Sequence, residues 1–193
     1  MQSSKLKSLA HIQTGYTFRK TTVGNSNEQV KVLQSKNIGT DLYINPEQVD
    51  LFVPNVSHST AFVKSGDIIF TSRGKFQAAV VKSSEPLLAA SSVFIIKVSS
   101  KKILPEYLAI YLNSVHCQKQ LQVVRRMGTI ETVTKQNIAD IVVAVPPISR
   151  QKLFVDLYLN IQAQKRLLQQ KVQKIENIFS SVLDTQVKGT IWQ

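Results

Sequence analysis

The chain has 193 residues, 43% of them hydrophobic, and sets 24 Lys+Arg against 12 Asp+Glu for a formal net charge of +12. That length builds one ordinary core without metal or disulfide support, and a single cysteine, Cys117, excludes an internal disulfide. With no run of about eighteen apolar residues and no apolar signal core after Met1, the expectation is a cytoplasmic protein with no membrane partner and a polyanion, most often nucleic acid, as ligand.

Residues 5–12 predict a short helix or turn that ends before Gly15. Beyond it, Tyr16-Thr-Phe-Arg-Lys-Thr-Thr-Val-Gly-Asn-Ser-Asn loses all periodicity and reads as an exposed loop. Short strands are expected over 30–34, 42–44, 49–53, 68–71, 78–82 and 93–98, separated by polar turns such as Lys64-Ser-Gly-Asp67 and Ser72-Arg-Gly-Lys75. Strands in series without intervening helices predict an α+β fold built on a curved, mostly antiparallel sheet.

A helix follows over 104–124, with Pro105 in its first turn and Leu108, Tyr111, Leu112 and Val115 on one apolar face. Arg125-Arg-Met-Gly-Thr129 breaks that pattern as a basic loop. Thr134 can cap a helical turn running to Ala139, and Ile141-Val-Val-Ala-Val145 has the composition of a buried strand. There is no internal repeat, so the chain carries one such domain, over residues 1–148.

In the last long stretch Phe154, Ile161, Leu168, Ile175 and Val182 recur every seven residues, and Tyr158, Val172 and Phe179 fill the complementary position. This is a coiled-coil seam on a single helix, expected over 149–188 with Ser149 as cap, Gly189 after its end and a tail at 189–193. Lys165 breaks the seam, and a polar residue at such a place sets register or orientation and lowers stability. At about 1.5 Å per residue the stretch is on the order of 55 Å long, against ~30 Å for the globule that precedes it. Part of the seam therefore needs another helix, from a second copy or a different protein. Seven basic residues against three acidic ones leave +4 on this stretch and +8 on residues 1–149. Its polar face is rich in glutamine rather than lysine, which speaks against a membrane surface.

Catalytic signatures are missing. No Gly-x-Gly pair offers a dinucleotide or phosphate loop, His11, His58 and His116 lie far apart, and no acidic residue precedes a lysine by two positions as in common metal-dependent nucleases. A non-catalytic chain without a cofactor of its own is the expectation.

Several segments in order carry a family resemblance: Leu6-Lys-Ser-Leu-Ala-His-Ile-Gln-Thr-Gly15, Leu33-Gln-Ser-Lys-Asn-Ile38, Val63-Lys-Ser-Gly-Asp-Ile-Ile-Phe-Thr-Ser-Arg-Gly74 and Ala90-Ser-Ser-Val-Phe-Ile-Ile-Lys97. They continue with Leu104-Pro-Glu-Tyr-Leu108, Gly128-Thr-Ile-Glu-Thr-Val-Thr-Lys-Gln-Asn-Ile138 and Val145-Pro-Pro-Ile-Ser-Arg-Gln151. Together they resemble the specificity (S) subunit of type I restriction-modification systems. The resemblance implies a target recognition domain followed by a spacer helix. The usual subunit has two such units with antiparallel helices, and this chain stops after one, resembling a half-length form. It further implies pairing with a second copy, a palindromic split site on double-stranded DNA, and a methyltransferase (M) subunit that holds S-adenosylmethionine and methylates adenine. An ATP-dependent restriction (R) subunit extends the same set. The other reading is a coiled-coil adaptor of a different anti-phage complex that binds RNA or a protein surface without reading DNA sequence.

Base reading needs side chains that reach groove edges from loops, with cations and hydroxyls around them for phosphates. The segments 16–22, 35–37, 72–77 and 125–129 fit. Arg73 and Arg125 are expected at guanine or groove edges and Asn37 and Gln77 at adenine. Arg19, Lys20, Lys36, Lys75 and Arg126 are expected on phosphates, and Thr129 closes the last segment.

Overall fold

The most apolar segments of the chain pair with one another, and the rest is laid over them. In the computed structural model, which describes residues 2–18, 30–52, 60–124 and 132–191, ten strands form three sheets. The strands are β1 (Gln2–Lys5), β2 (Ala10–Thr14), β3 (Val30–Leu33), β4 (Leu51–Phe52), β5 (Phe62–Val63), β6 (Ile68–Thr71), β7 (Ala78–Val80), β8 (Leu87–Ala89), β9 (Val93–Val98) and β10 (Val142–Val145). The helices are α1 (Pro105–Leu112), α2 (Val115–Val124), α3 (Lys135–Ala139) and α4 (Ile148–Ile191). Contacts divide the chain into two units, the first ending at Val155 and the second beginning at Asp156.

One sheet has the order β2-β9-β6-β7 and is antiparallel throughout, with Ile69 opposite Ile95 and Phe70 opposite Phe94. The second has the order β4-β3-β8-β5, in which only β3 and β8 run parallel. Val32, Leu33, Leu87 and Leu88 from the second sheet and Ile69, Ala79, Val93 and Ile95 from the first share one buried core. Ile68, Phe70 and Ile96, which alternate with that set, are buried as well, and α1 packs on β7. Burial on both faces is why β6 reads as an unbroken apolar run.

The α+β architecture with mostly antiparallel strands and a long terminal helix matches the expectation from sequence. Local elements differ from it. The short helical turn expected over residues 5–12 is confined to a 3₁₀ turn at Leu6–Ser8, which joins two strands, because Ala10 and Ile12 alternate inward with exposed or half-exposed neighbours along β2. The 42–44 segment makes only a single bridge, Tyr43 to Val80. Residues 104–124 form two helices. Asn113 leaves the first to bind both backbone groups of Ala78, its Oδ1 accepting from the N–H and its Nδ2 donating to the carbonyl, each at 2.8 Å. Ser114 then caps the second by accepting from the Cys117 N–H at 3.3 Å. The restart changes the buried face: Cys117 and Leu121 point inward, and Val115 is 72% exposed. Burial pushes the Cys117 thiol up to about 12, which leaves it an inert core residue. Strand β10 is not buried on both sides but pairs with β1 in a ribbon whose Val142 is exposed.

Thr134 does cap α3, accepting from the Asn137 N–H at 3.2 Å while the Asn137 side chain accepts in return from the Thr134 N–H at 3.0 Å. Just past that helix, Asp140 fastens the start of the chain. Its carboxylate takes hydrogen bonds from Gln136, Lys7 and Lys5, which together hold its pKa down to about 2.

Helix α4 begins at Ile148 directly after Pro147 and continues through Gly189 to Ile191, so Ser149 lies inside the first turn and Gly189 does not terminate it. Its base is locked by Gln151, a fully buried polar side chain. Gln151 Oε1 accepts from the Leu104 N–H at 2.8 Å, and Nε2 donates to the carbonyls of Lys102 (2.7 Å) and Pro146 (2.8 Å). One amide thus ties the start of α1, the loop before it and the end of β10 to the helix. Gln151→Ala should leave these backbone groups without partners and cost about 2–4 kcal/mol, seen as a lower urea midpoint with an unchanged slope.

Candidate nucleic-acid interface

Between β8 and β9 the chain reverses through Ala90, Ser91 and Ser92, closed by a 3.1 Å hydrogen bond from the Val93 N–H to the Ala90 carbonyl. Three of the four segments that the sequence marks for DNA contact are fastened to this turn. Tyr16 runs beside it, donating its N–H to the Ala89 carbonyl (2.7 Å) and accepting from the Ser91 N–H (2.7 Å). Gly15 makes that approach possible, since a Cβ there would fall inside the Ala90 carbonyl and 2.7 Å from the Ala89 oxygen. The 3₁₀ turn Ser35–Asn37 hangs on Ser92, whose Oγ accepts from the Ser35 N–H at 3.2 Å. The β6–β7 loop is held by Ser72, whose N–H (3.1 Å) and Oγ (2.8 Å) both donate to the Ser92 carbonyl. Ser72 in turn accepts from the Val133 N–H at 3.2 Å, and Arg73 bridges Thr132. The fourth segment, 125–129, ends three residues before Thr132; its Arg125, Arg126 and Thr129 lie outside the described residues, as do Arg19 and Lys20.

The β6–β7 loop is the best defined part of the site. Thr71 Oγ1 donates to the Lys75 carbonyl (2.7 Å) and accepts from the Gln77 N–H (2.9 Å), and Phe76 turns inward to stack on Phe70 with centroids 6.2 Å apart. Gly74 adopts a φ of 68°, a left-handed conformation that costs glycine least. Bound from inside in this way, the loop presents Arg73 and Lys75 to solvent, and among the described residues neither has an acidic partner. Gln77 is half-buried at the base of the loop.

The Ser35–Asn37 turn is more heavily engaged. Lys36 is exposed but ion-paired with Asp50. Asn37 Oδ1 accepts from the Gln34 N–H and Nδ2 donates to the Gln48 carbonyl, each at 2.8 Å, so both ends of its amide hold backbone. Sequence reasoning missed the Ala90–Ser92 turn as the place where these loops meet; the only signal was a pair of serines between two apolar runs. Among the described residues, no group of three His, Cys, Asp or Glu could hold a metal ion, and no helix is long and apolar enough to cross a membrane.

The second unit carries a surface of another kind. Along α4, Leu168 is 63% exposed, Ile175 57% and Phe179 64%, and Ile161, Val172 and Val182 are exposed with them; Tyr158 is half-exposed. Phe154, which begins the seam, belongs to the first unit and lies against Tyr107, with centroids 6.2 Å apart, and under the Arg150 guanidinium.

The described chain is thus bipartite, with loops carrying exposed cations rooted on one β-turn in the first unit and a heptad-patterned helix in the second. The sequence model of the family described as type I restriction modification DNA specificity domain matches residues 1–177, and the chain belongs to that family, whose role is specificity rather than catalysis. Among solved structures, one from work on assembly and conformational transition of the type I R-M system is 17% identical with a TM-score of 0.66, covering 86% of this chain and 39% of that one. The HsdS subunit from Thermoanaerobacter tengcongensis is 16% identical with a TM-score of 0.64 over 88% of this chain and 39% of its own. The type I restriction-modification S subunit from M. genitalium is 9% identical with a TM-score of 0.53, over 81% of this chain and 37% of that one. The chain thus spans about two fifths of the length of the structures it resembles. No curated protein matches it.

Gly15→Ala should force Tyr16 away from the Ala90–Ser92 turn and cost about 1–3 kcal/mol or more in stability, measured by denaturant unfolding. A variant as stable as the parent would show that the strand and the turn do not need their close approach.

Proposed function

We propose that this chain is a type I specificity subunit that reads half of a split DNA site with the loops rooted on the Ala90–Ser92 turn, and that its α4 seam pairs antiparallel with that of a second copy. The observation that supports it most is the convergence of three loop segments on one rigid turn, with Arg73 and Lys75 exposed and unneutralised among the described residues. A groove contact suits Arg73, whose guanidinium can bind a guanine edge through two hydrogen bonds, and phosphate contacts suit Lys75 and Lys36. Asn37 is reassigned to positioning, since reading adenine would take its amide away from the turn it holds. Gln77 remains a candidate for adenine. Arg19, Lys20, Arg125, Arg126 and Thr129 are proposed as phosphate or groove contacts on charge and sequence position alone.

Two copies related by a two-fold axis would meet two related half-sites, so the expected target is palindromic and interrupted. The paired helices would then act as a ruler. Each residue adds about 1.5 Å, and a reader must face the correct side of a duplex that turns once in ~34 Å. Adenine methylation would belong to an M subunit carrying S-adenosylmethionine, and cleavage to an R subunit; this chain contributes recognition.

Selection of bound fragments from random duplex should enrich one bipartite palindrome, with affinity that falls steeply as salt rises. An enriched pool without a motif would support the adaptor reading instead. Arg73→Ala should relax preference at one position of each half-site by about 1–3 kcal/mol; uniform weakening over all sequences would move Arg73 to a phosphate. Replacing Leu168 and Ile175 with Asp should give folded monomers in sedimentation that no longer prefer the bipartite site.

A further inference from the structure

Lys165 occupies a seam position of α4, and the residues three and four places to either side of it are Ile161, Gln162, Leu168 and Gln169. Glu176, at that same spacing, meets Val172, Gln173, Phe179 and Ser180. Neither charge has an opposite charge one turn away on its own helix, where such pairs normally stabilise an exposed helical surface. The two residues are eleven apart, close to three full turns, so they lie within about 20° of each other around the axis, on one flank of the apolar stripe. A two-fold axis between antiparallel helices sets that flank of one copy against the same flank of the other.

We infer that Lys165 of each copy pairs with Glu176 of the second copy, and that these two symmetric ion pairs fix the register of the seam. The inference rests on the pairing proposed above. Only a few antiparallel registers let the two kinds of seam position face each other along most of the stretch. Setting Leu168 against Val172 of the second copy brings Ile161 against Phe179 and Lys165 against Ile175, with Glu176 immediately beside it. A slip of one heptad in either direction puts Lys165 against Leu168 or Val182. Its nearest neighbours are then Leu167 and Gln169, or Ser181 and Leu183, and no acid is adjacent. The chosen register leaves Phe154 without an apolar counterpart across the seam; that residue belongs to the first unit, where it contacts Tyr107 and Arg150. A cation left unanswered in a desolvated seam is costly, so the slipped registers are disfavoured by the charge even where their apolar contacts are as good.

The test compares Lys165→Glu, Glu176→Lys and the double variant of the full chain in sedimentation over a dilution series. Each single change turns two attractive contacts into two repulsive ones and should raise the dimer dissociation constant about tenfold, less at high salt. The double variant restores opposite charges and should return to within about threefold of the parent. A dimer that ignores the single changes, or a double variant as weak as both singles combined, overturns the register while leaving the pairing intact. A parent chain that stays monomeric at every concentration overturns the pairing, and the register with it.

Discussion

The loops of the first unit depend on one tight reversal of chain, the Ala90–Ser92 turn. It stands between a strand of each four-stranded sheet, so it inherits the rigidity of the core that both sheets share. From that position it accepts or donates hydrogen bonds to Tyr16, Ser35 and Ser72, and through Ser72 to Val133. These anchors are far apart in sequence, and a few bonds at a single point bring their loops into one neighbourhood. The base-reading role proposed for these loops would require them to be held to fractions of an ångström, and a fixed turn in a doubly covered sheet is an economical way to do so.

The other half of the chain obeys a different logic. Gln151 seals the base of α4 into the first unit with three hydrogen bonds. Beyond Val155 the helix carries large apolar side chains that nothing in the described chain covers. In the proposed pairing, hydrophobic contact would supply the drive toward a partner helix but would be nearly indifferent to a slip of one heptad. Discrimination would then fall to the few polar residues among the apolar ones, the role proposed for Lys165 and Glu176.

Much of this was legible in the sequence because the signals were periodic or chemically singular. The heptads of α4 survive any register error, Thr134 announces the cap of α3, and Ile68–Thr71 is too apolar to be anything but a central strand. What escaped reading depended on tertiary partners. Nothing local in Leu104-Pro-Glu-Tyr-Leu108 and its continuation reveals that Asn113 will leave the helix to bind Ala78, and that departure decides which face of the next helix is buried. Likewise Lys5–Ile12 has a plausible helical pattern that is overruled by pairing with β9 and β10, strands about 85 and 135 residues away. Among the residues proposed to contact DNA, composition picked out Asn37 as readily as Arg73. Only the hydrogen bonds separate a side chain that builds the turn from one that the loop leaves free.

The bonds that root these loops join main-chain atoms, as in Tyr16 to Ala89 and Ser91, Ala90 to Leu33, Ser72 to Ser92 and Val133 to Ser72, and inward polar side chains, those of Thr71, Ser72, Ser92 and Asn37; the side chains of Arg73 and Lys75 take no part in them. The scaffold consequently places few demands on what the outward residues are. Arg73 and Lys75 could be exchanged for other side chains without loosening the framework beneath them. If these loops read DNA as proposed, new target preferences are open to this fold by small steps, each altering what is read while the reader itself stays folded.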